Sequence, residues 1–186
     1  MAFDFRSAER VRRQAPVRTL GRRPDDRLPF LGTEASAGNA LLLDTCVYID
    51  QMQGRAPAIV ADLLAIRLVN HRTVAVQELM HAVGVLDPGD ARTEGAVAAI
   101  EAAIDAMPAH RLFGPDADIL AQAAVYAGIL ARVQGYGRDE RMKALHDCVL
   151  FVQAMKHGFA VLTRNVREFD ALLQMRADGR VLFYRT

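Results

Sequence analysis

Ala40-Leu41-Leu42-Leu43 is apolar at every position and stops on Asp44. A strand that is apolar on both faces must be covered on both, which is the condition of a strand inside a parallel sheet. The rest of the chain is patterned to supply that cover. Thr73–Val76, Arg111–Phe113, Phe159–Thr163 and Val181–Tyr184 have the length and composition of further strands. Between them lie helical patterns. Pro57 can open one that runs through Ile59, Leu63 and Ile66 to about Asn70. Others span 77–85, 91–107 with Pro108 as its stop, 114–131 and 140–157 with Gly158 at its end, and 167–175. Alternating strands and helices predict a three-layer α/β/α fold with a central parallel sheet.

At 186 residues the chain suits one domain with a real core. No apolar run reaches the length of a membrane-spanning helix, and the first residues lack the apolar stretch of a secretory signal. Cys46 and Cys148 are too few for a disulfide scaffold, so a reducing cytoplasm is the expected compartment. Residues 1–38 differ from the rest of the chain. They hold eight arginines against five acids, a surplus of +3, whereas the remainder holds 15 basic and 17 acidic residues, a balance of −2. Proline and glycine punctuate this segment and no apolar period runs through it. It is expected to be a mostly flexible, arginine-rich arm preceding a domain at 39–186. A solvated tail, an arm that touches nucleic acid, and a natural translation start nearer the first strand all stay open for it.

In open parallel sheets ligands bind beyond the carboxyl ends of the strands. Asp44 stands at the end of the first expected strand, Glu78 two residues past the second and Asn165 two past the strand ending at Thr163. Asp147 heads an apolar stripe formed with Leu150, Phe151 and Ala154 on its helix. A carboxylate in that position is rarely left unpaired. Two unit charges roughly 4 Å apart repel by about 4 kcal/mol at an effective dielectric of about 20. Converging acids must therefore bind protons or a cation. Oxygen ligands without a histidine set suit Mg²⁺ or Mn²⁺, and such an ion prefers phosphate oxygens as its other partners. The chemistry this favours is hydrolysis of a phosphodiester. Each acid also has a plainer reading, as a turn residue, a helix cap or half of a salt bridge.

Four segments, in order, resemble PIN-domain ribonucleases, and more narrowly VapC-type toxins of type II toxin–antitoxin systems. They are Leu41-Leu42-Leu43-Asp44-Thr45-Cys46-Val47, Val76-Gln77-Glu78-Leu79, His146-Asp147-Cys148-Val149-Leu150, and Val161-Leu162-Thr163-Arg164-Asn165 continuing into Val166-Arg167-Glu168-Phe169. The resemblance covers about residues 39–186 and leaves the arm outside. It implies a PIN-like fold and a cytoplasmic, metal-dependent endoribonuclease using Mg²⁺ or Mn²⁺. Asp44, Glu78 and Asp147 would form the acidic, metal-holding pocket, with Asp44 and Asp147 as its direct ligands. Asn165 would take the place where many relatives carry a fourth Asp, and an amide there makes a second tightly held ion less secure. Thr45 and Thr163 would orient carboxylates or waters. Cleavage would leave a 5′-phosphate and a 3′-hydroxyl. The partners implied are an RNA substrate, a cognate antitoxin and a second copy of the chain in a homodimer, with no membrane.

Arg164, beside Asn165, has the planar fork that grips phosphate, although a plain surface role fits it equally. His146 is expected to point away from Asp147, since neighbours on a helix diverge by about 100°, and to be a surface or interface residue. Asp116 and Asp118 have the place of helix caps, and Cys46 and Cys148 that of small core thiols. The alternative function is a catalytically weak PIN-like module that binds RNA or protein.

Overall fold

The structure, a computed structural model, describes residues 4–13 and 15–186. Its centre is a five-stranded, all-parallel sheet in the order β3-β2-β1-β4-β5. The strands are β1 (Leu41–Leu43), β2 (Val69–Arg72), β3 (Leu112–Phe113), β4 (Ala160–Thr163) and β5 (Val181–Phe183). Side chains alternate across them, as the pleat requires. Leu42 and Val161 face one layer, containing α6 (Ala117–Gln134), α7 (Arg138–His157) and α8 (Val166–Met175). Leu41, Leu43, Ala160 and Leu162 face the other, which holds α2 (Thr45–Met52), α3 (Ala58–Ile66), α4 (Thr73–Val85) and α5 (Thr93–Asp105). The expected three-layer α/β/α architecture is the one observed.

One strand lies elsewhere than the sequence pattern puts it. Thr73-Val74-Ala75-Val76 is the first turn of α4, and β2 is the preceding Val69-Asn70-His71-Arg72. Three polar residues in a row do not look like a buried strand, yet all three are buried here. Each is hydrogen-bonded, which makes the burial tolerable. Asn70 Nδ2 donates to the Leu41 carbonyl at 3.2 Å, His71 Nδ1 lies 2.7 Å from the Tyr48 hydroxyl, and Arg72 reaches into an acidic cluster at the sheet rim. Helix α2 has no counterpart in the sequence pattern. It starts directly after Asp44, so its amino end and the carboxyl end of β1 meet at one residue.

Residues Phe5–Arg13 form helix α1, which packs on α6. From there the chain runs along the body, with the Thr19 hydroxyl donating to the Val133 carbonyl at 2.9 Å and Gln134 Nε2 to the Leu20 carbonyl at 3.0 Å. Phe30 makes a parallel bridge to Phe183, so the arm borders the outer edge of β5. Arg23 Nε lies 2.6 Å from Asp170, whose carboxylate is fully buried on α8. A buried carboxylate needs such a partner, and this long-range demand is invisible in the arm's own composition. We expect Arg23→Ala to cost about 2 kcal/mol, less than a wholly buried pair because Arg23 is 33% exposed. Limited trypsin digestion should then cut after Arg18, Arg22 or Arg27 well before the body is attacked, and a variant as resistant as the parent would show the pair to be dispensable.

Candidate functional site

The carboxyl ends of β1 and β4 and the amino ends of α2 and α8 converge on one rim of the sheet. Asp44 is held there by position and by hydrogen bonds. Its side chain is almost fully buried. Its Oδ2 accepts from the Thr163 hydroxyl at 2.6 Å and from the Cys46 thiol at 3.3 Å. Burial first, and then the charge of Asp44, push the Cys46 thiol up to about 12, so it stays a donor. Thr163 in turn accepts from the Asn165 backbone N–H at 2.9 Å. Asn165 Nδ2 donates to Asp147 Oδ2 at 3.0 Å, which ties the middle of α7 to the start of α8. Asp44, Thr163, Asn165 and Asp147 thus form one continuous chain of hydrogen bonds.

Asp147 feels the crowding most. Burial, then the charges of Asp44 and Glu168, push its carboxyl well above the ordinary carboxylate range, with Arg72 opposing and Glu78 adding to the rise. Carboxylates brought together out of water favour a bound proton or a cation. The second oxygens of Asp44 and Asp147 have no hydrogen-bond donor among the described residues, although Arg72 Nη2 stands 3.9 Å from Asp44 Oδ1.

Glu78 is placed differently. It lies in the second turn of α4, and every oxygen it carries is engaged. Oε1 faces His146 Nδ1 at 2.7 Å, while Oε2 accepts from Arg72 Nη2 at 3.0 Å and from the Thr45 hydroxyl. Burial alone would raise its carboxyl, but the His146 hydrogen bond, the Arg72 charge and Thr45 together hold it below its usual value. Arg72 itself is 1% exposed. Its Nη1 donates to the His146 carbonyl at 3.2 Å and its Nε has no partner among the described residues.

Arg72 adds a fixed positive charge to this group of acids. Converging acids are expected to take protons or a metal ion, and the plainer salt-bridge reading also has its partner here, a buried guanidinium between Glu78 and Asp44. Of the three carboxylates expected to hold an ion, Glu78 is the one whose two oxygens both already have protein partners. Among the described residues no group of three His, Cys, Asp or Glu side chains is arranged to hold a metal ion. What remains is a pair, Asp44 and Asp147, each with a carboxylate oxygen unpaired by any donor, backed by the Asn165 amide. That set fits Mg²⁺ or Mn²⁺, which is commonly held by one or two carboxylates with water and phosphate completing the shell.

Three residues of the site are not evident in the sequence. Arg72 is hidden because β2 does not look like a strand. His146 is expected to face away from Asp147, and it does turn to another partner, Glu78, which lies on the same rim. Glu168 sits in the first turn of α8, 17% exposed in its side chain, with the Tyr136 hydroxyl 3.5 Å away. Its spacing of three from Asn165 was the available signal. Arg164 projects from the same loop, but its Nε is bound at 2.8 Å to Asp50, a carboxylate with no exposed surface.

No family model matches the sequence, and no curated protein matches it. Solved structures do match. VapBC2 from Rickettsia felis, bound to a DNA fragment from its promoter, aligns with a TM-score of 0.54 at 10% identity, over 78% of this chain and 99% of that one. VapBC-1 from nontypeable Haemophilus influenzae aligns with a TM-score of 0.54 at 22% identity, over 77% and 97%. FitAcB from Neisseria gonorrhoeae aligns with a TM-score of 0.53 at 24% identity, over 77% and 96%. The likeness to VapC-type PIN chains, first drawn from four short segments, is borne out by the fold. No helix among the described residues is long and apolar enough to cross a membrane.

Proposed function

We propose that this chain is the toxin of a type II toxin–antitoxin system and acts as a Mg²⁺- or Mn²⁺-dependent endoribonuclease. The observation that carries the proposal is the Asp44–Thr163–Asn165–Asp147 chain at the sheet rim, which leaves two carboxylate oxygens without a hydrogen-bond donor among the described residues. Asp44 and Asp147 would hold the ion. The ion would supply a water nucleophile near neutral pH and neutralise charge on the phosphate being cut. The protein's own part is positional. Thr163 aims Asp44, Asn165 aims Asp147, and Thr45, Arg72 and His146 fix Glu78 at the border of the site. The amino ends of α2 and α8 add partial positive charge where a phosphate would enter. Purified protein should degrade RNA when Mn²⁺ is present and stop when it is chelated. An antitoxin partner is proposed from the fold likeness, and a homodimer and a cytoplasmic setting from the sequence resemblance.

A second reading is favoured by Arg72. A site that already contains its own cation has less need of a metal, and Asn165 brings no charge. On that reading the chain is a catalytically weak PIN-like module that binds RNA or protein. Calorimetry separates the two, since the nuclease should take up about one Mn²⁺ per chain through its carboxylate pair and the binding module none.

The crowding of Asp147 gives a pH test. A carboxyl whose pKa is higher in the folded than in the unfolded chain holds more protons when folded. Ion-free protein therefore loses stability as pH rises from the ordinary carboxylate range through the folded value. Glu78 works in the opposite sense, contributing stability above that range and losing it on acidification. Asp147→Asn removes the first effect alone. Without divalent ions the variant should melt higher than the parent at about pH 7 and no higher at about pH 4. Mn²⁺ should raise the melting temperature of the parent and leave the variant where it was.

A further inference from the structure

One edge of the site carries more positive charge than its structural task needs. Asp50, on α2, has no exposed surface. Its carboxylate accepts from the Tyr184 hydroxyl at 2.7 Å and from Arg55 Nη2 at 3.0 Å, and it forms an ion pair with Arg164 Nε at 2.8 Å. A single guanidinium would balance one buried carboxylate. Two leave a net charge of +1, held at the surface by an anchor that cannot move. Both arginines are half-exposed, 50% for Arg55 and 41% for Arg164. Each spends one donor on Asp50 and has others to offer. They meet the two oxygens of one carboxylate, Arg55 at Oδ1 and Arg164 at Oδ2.

The backbone is shaped to achieve this. Gly54, at φ +65°, turns the chain back after α2, and the Arg55 N–H donates to the Asp50 carbonyl at 2.8 Å. A side chain at Gly54 would strain that turn. On the other side, Arg164 stands between Thr163, which aims Asp44, and Asn165, which aims Asp147. Arg164 thus belongs to the same loop as the acidic rim, and Arg55 is tied to it through Asp50. A short chain of contacts joins the pair to the rim: the Tyr184 hydroxyl that donates to Asp50 lies 3.7 Å from Cys46 Sγ, and the Cys46 thiol donates to Asp44 at 3.3 Å.

We propose that Arg55 and Arg164, both held on the buried Asp50, form a binding subsite for a backbone phosphate of single-stranded RNA flanking the position to be cut. The proposal rests on the nuclease reading above. Paired guanidinium groups suit a phosphate, since each can offer parallel N–H donors to two oxygens. Fixing them beforehand spares the entropy of ordering two long side chains on binding.

The test is the affinity of the full chain for a fluorescent single-stranded RNA, followed by anisotropy over a range of salt. Asp44→Asn in every sample prevents cutting. Arg55→Gln and Arg164→Gln should each weaken binding roughly fivefold to tenfold. Each should also reduce the slope of log affinity against log salt by about 0.7, the value for one phosphate contact on a single strand. Arg92→Gln, whose partner is the nearby Asp90, should change neither. Melting temperatures of the Gln variants, both at half-exposed positions, confirm that they are folded. Unchanged affinity and slope in Arg55→Gln and Arg164→Gln, with the parent binding RNA, would overturn the subsite and leave the nuclease reading standing. A parent that binds no RNA at any salt would overturn both.

Discussion

Asp44→Asn should reduce Mn²⁺-dependent RNA cleavage by roughly a thousandfold, the loss expected when a preorganised charge at the reacting centre is removed. The substitution is close to isosteric. An asparagine carbonyl can still accept from the Thr163 hydroxyl at 2.6 Å, so the rim keeps its shape. What disappears is the charge, and with it one of two carboxylates able to hold an ion. The charge that pushes the Asp147 carboxyl up would also disappear, so the folded state should be no less stable. Loss of activity with an unchanged or raised melting temperature is therefore the expected pair of results. A variant that cuts as well as the parent would place the chemistry elsewhere or in a contaminant.

Arg72→Leu should have the largest effect on stability. It removes the buried cation between Glu78 and Asp44 and leaves their charges facing each other and Asp147. Breaking a buried ion pair by deleting one partner costs about 3–5 kcal/mol. For a chain of this length that corresponds to a fall of roughly 10 °C in melting temperature. Two further results separate electrostatics from lost packing. Adding Glu78→Gln to Arg72→Leu should recover a good part of the loss, because the orphaned carboxylate is gone. Mn²⁺ should stabilise Arg72→Leu more than it stabilises the parent, since the ion then meets charges that Arg72 had balanced. A variant indifferent to both would make Arg72 a packing residue. Chemical denaturation with and without Mn²⁺ reads all three.

Those two residues also mark what the sequence makes legible. Asp44 is visible because a fully apolar strand ends on it, and strand ends in parallel sheets are where ligands gather. The three-layer fold emerges from the same pattern, as Leu41, Leu42 and Leu43 alternate between two cores. Arg72 is invisible because periodicity measures apolar content, and β2 is polar at three of its four positions. Such a strand is stable only through specific hydrogen bonds to Leu41, Tyr48 and Glu78, and partners distant in sequence leave no local trace. The arm is hard to read for a related reason. Its charged residues resemble those of a solvated tail until Arg23 is seen on Asp170 and Asp25 on Arg185. His146 shows the limit of helical geometry used alone, since a direction away from one acid led to another.

The bridge between Phe30 and Phe183 has a consequence of its own. An uncovered outermost strand offers a row of free amide and carbonyl groups to any passing strand, which is how sheets are recruited into aggregates. Here Leu31 donates to the Phe183 carbonyl and Phe183 to the Pro29 carbonyl, so those groups are already taken. At the opposite border β3 is only two residues long, too short a template for stacking. The segment that looked like an appendage thus works as a hem, keeping a small parallel sheet from lengthening at the expense of its neighbours.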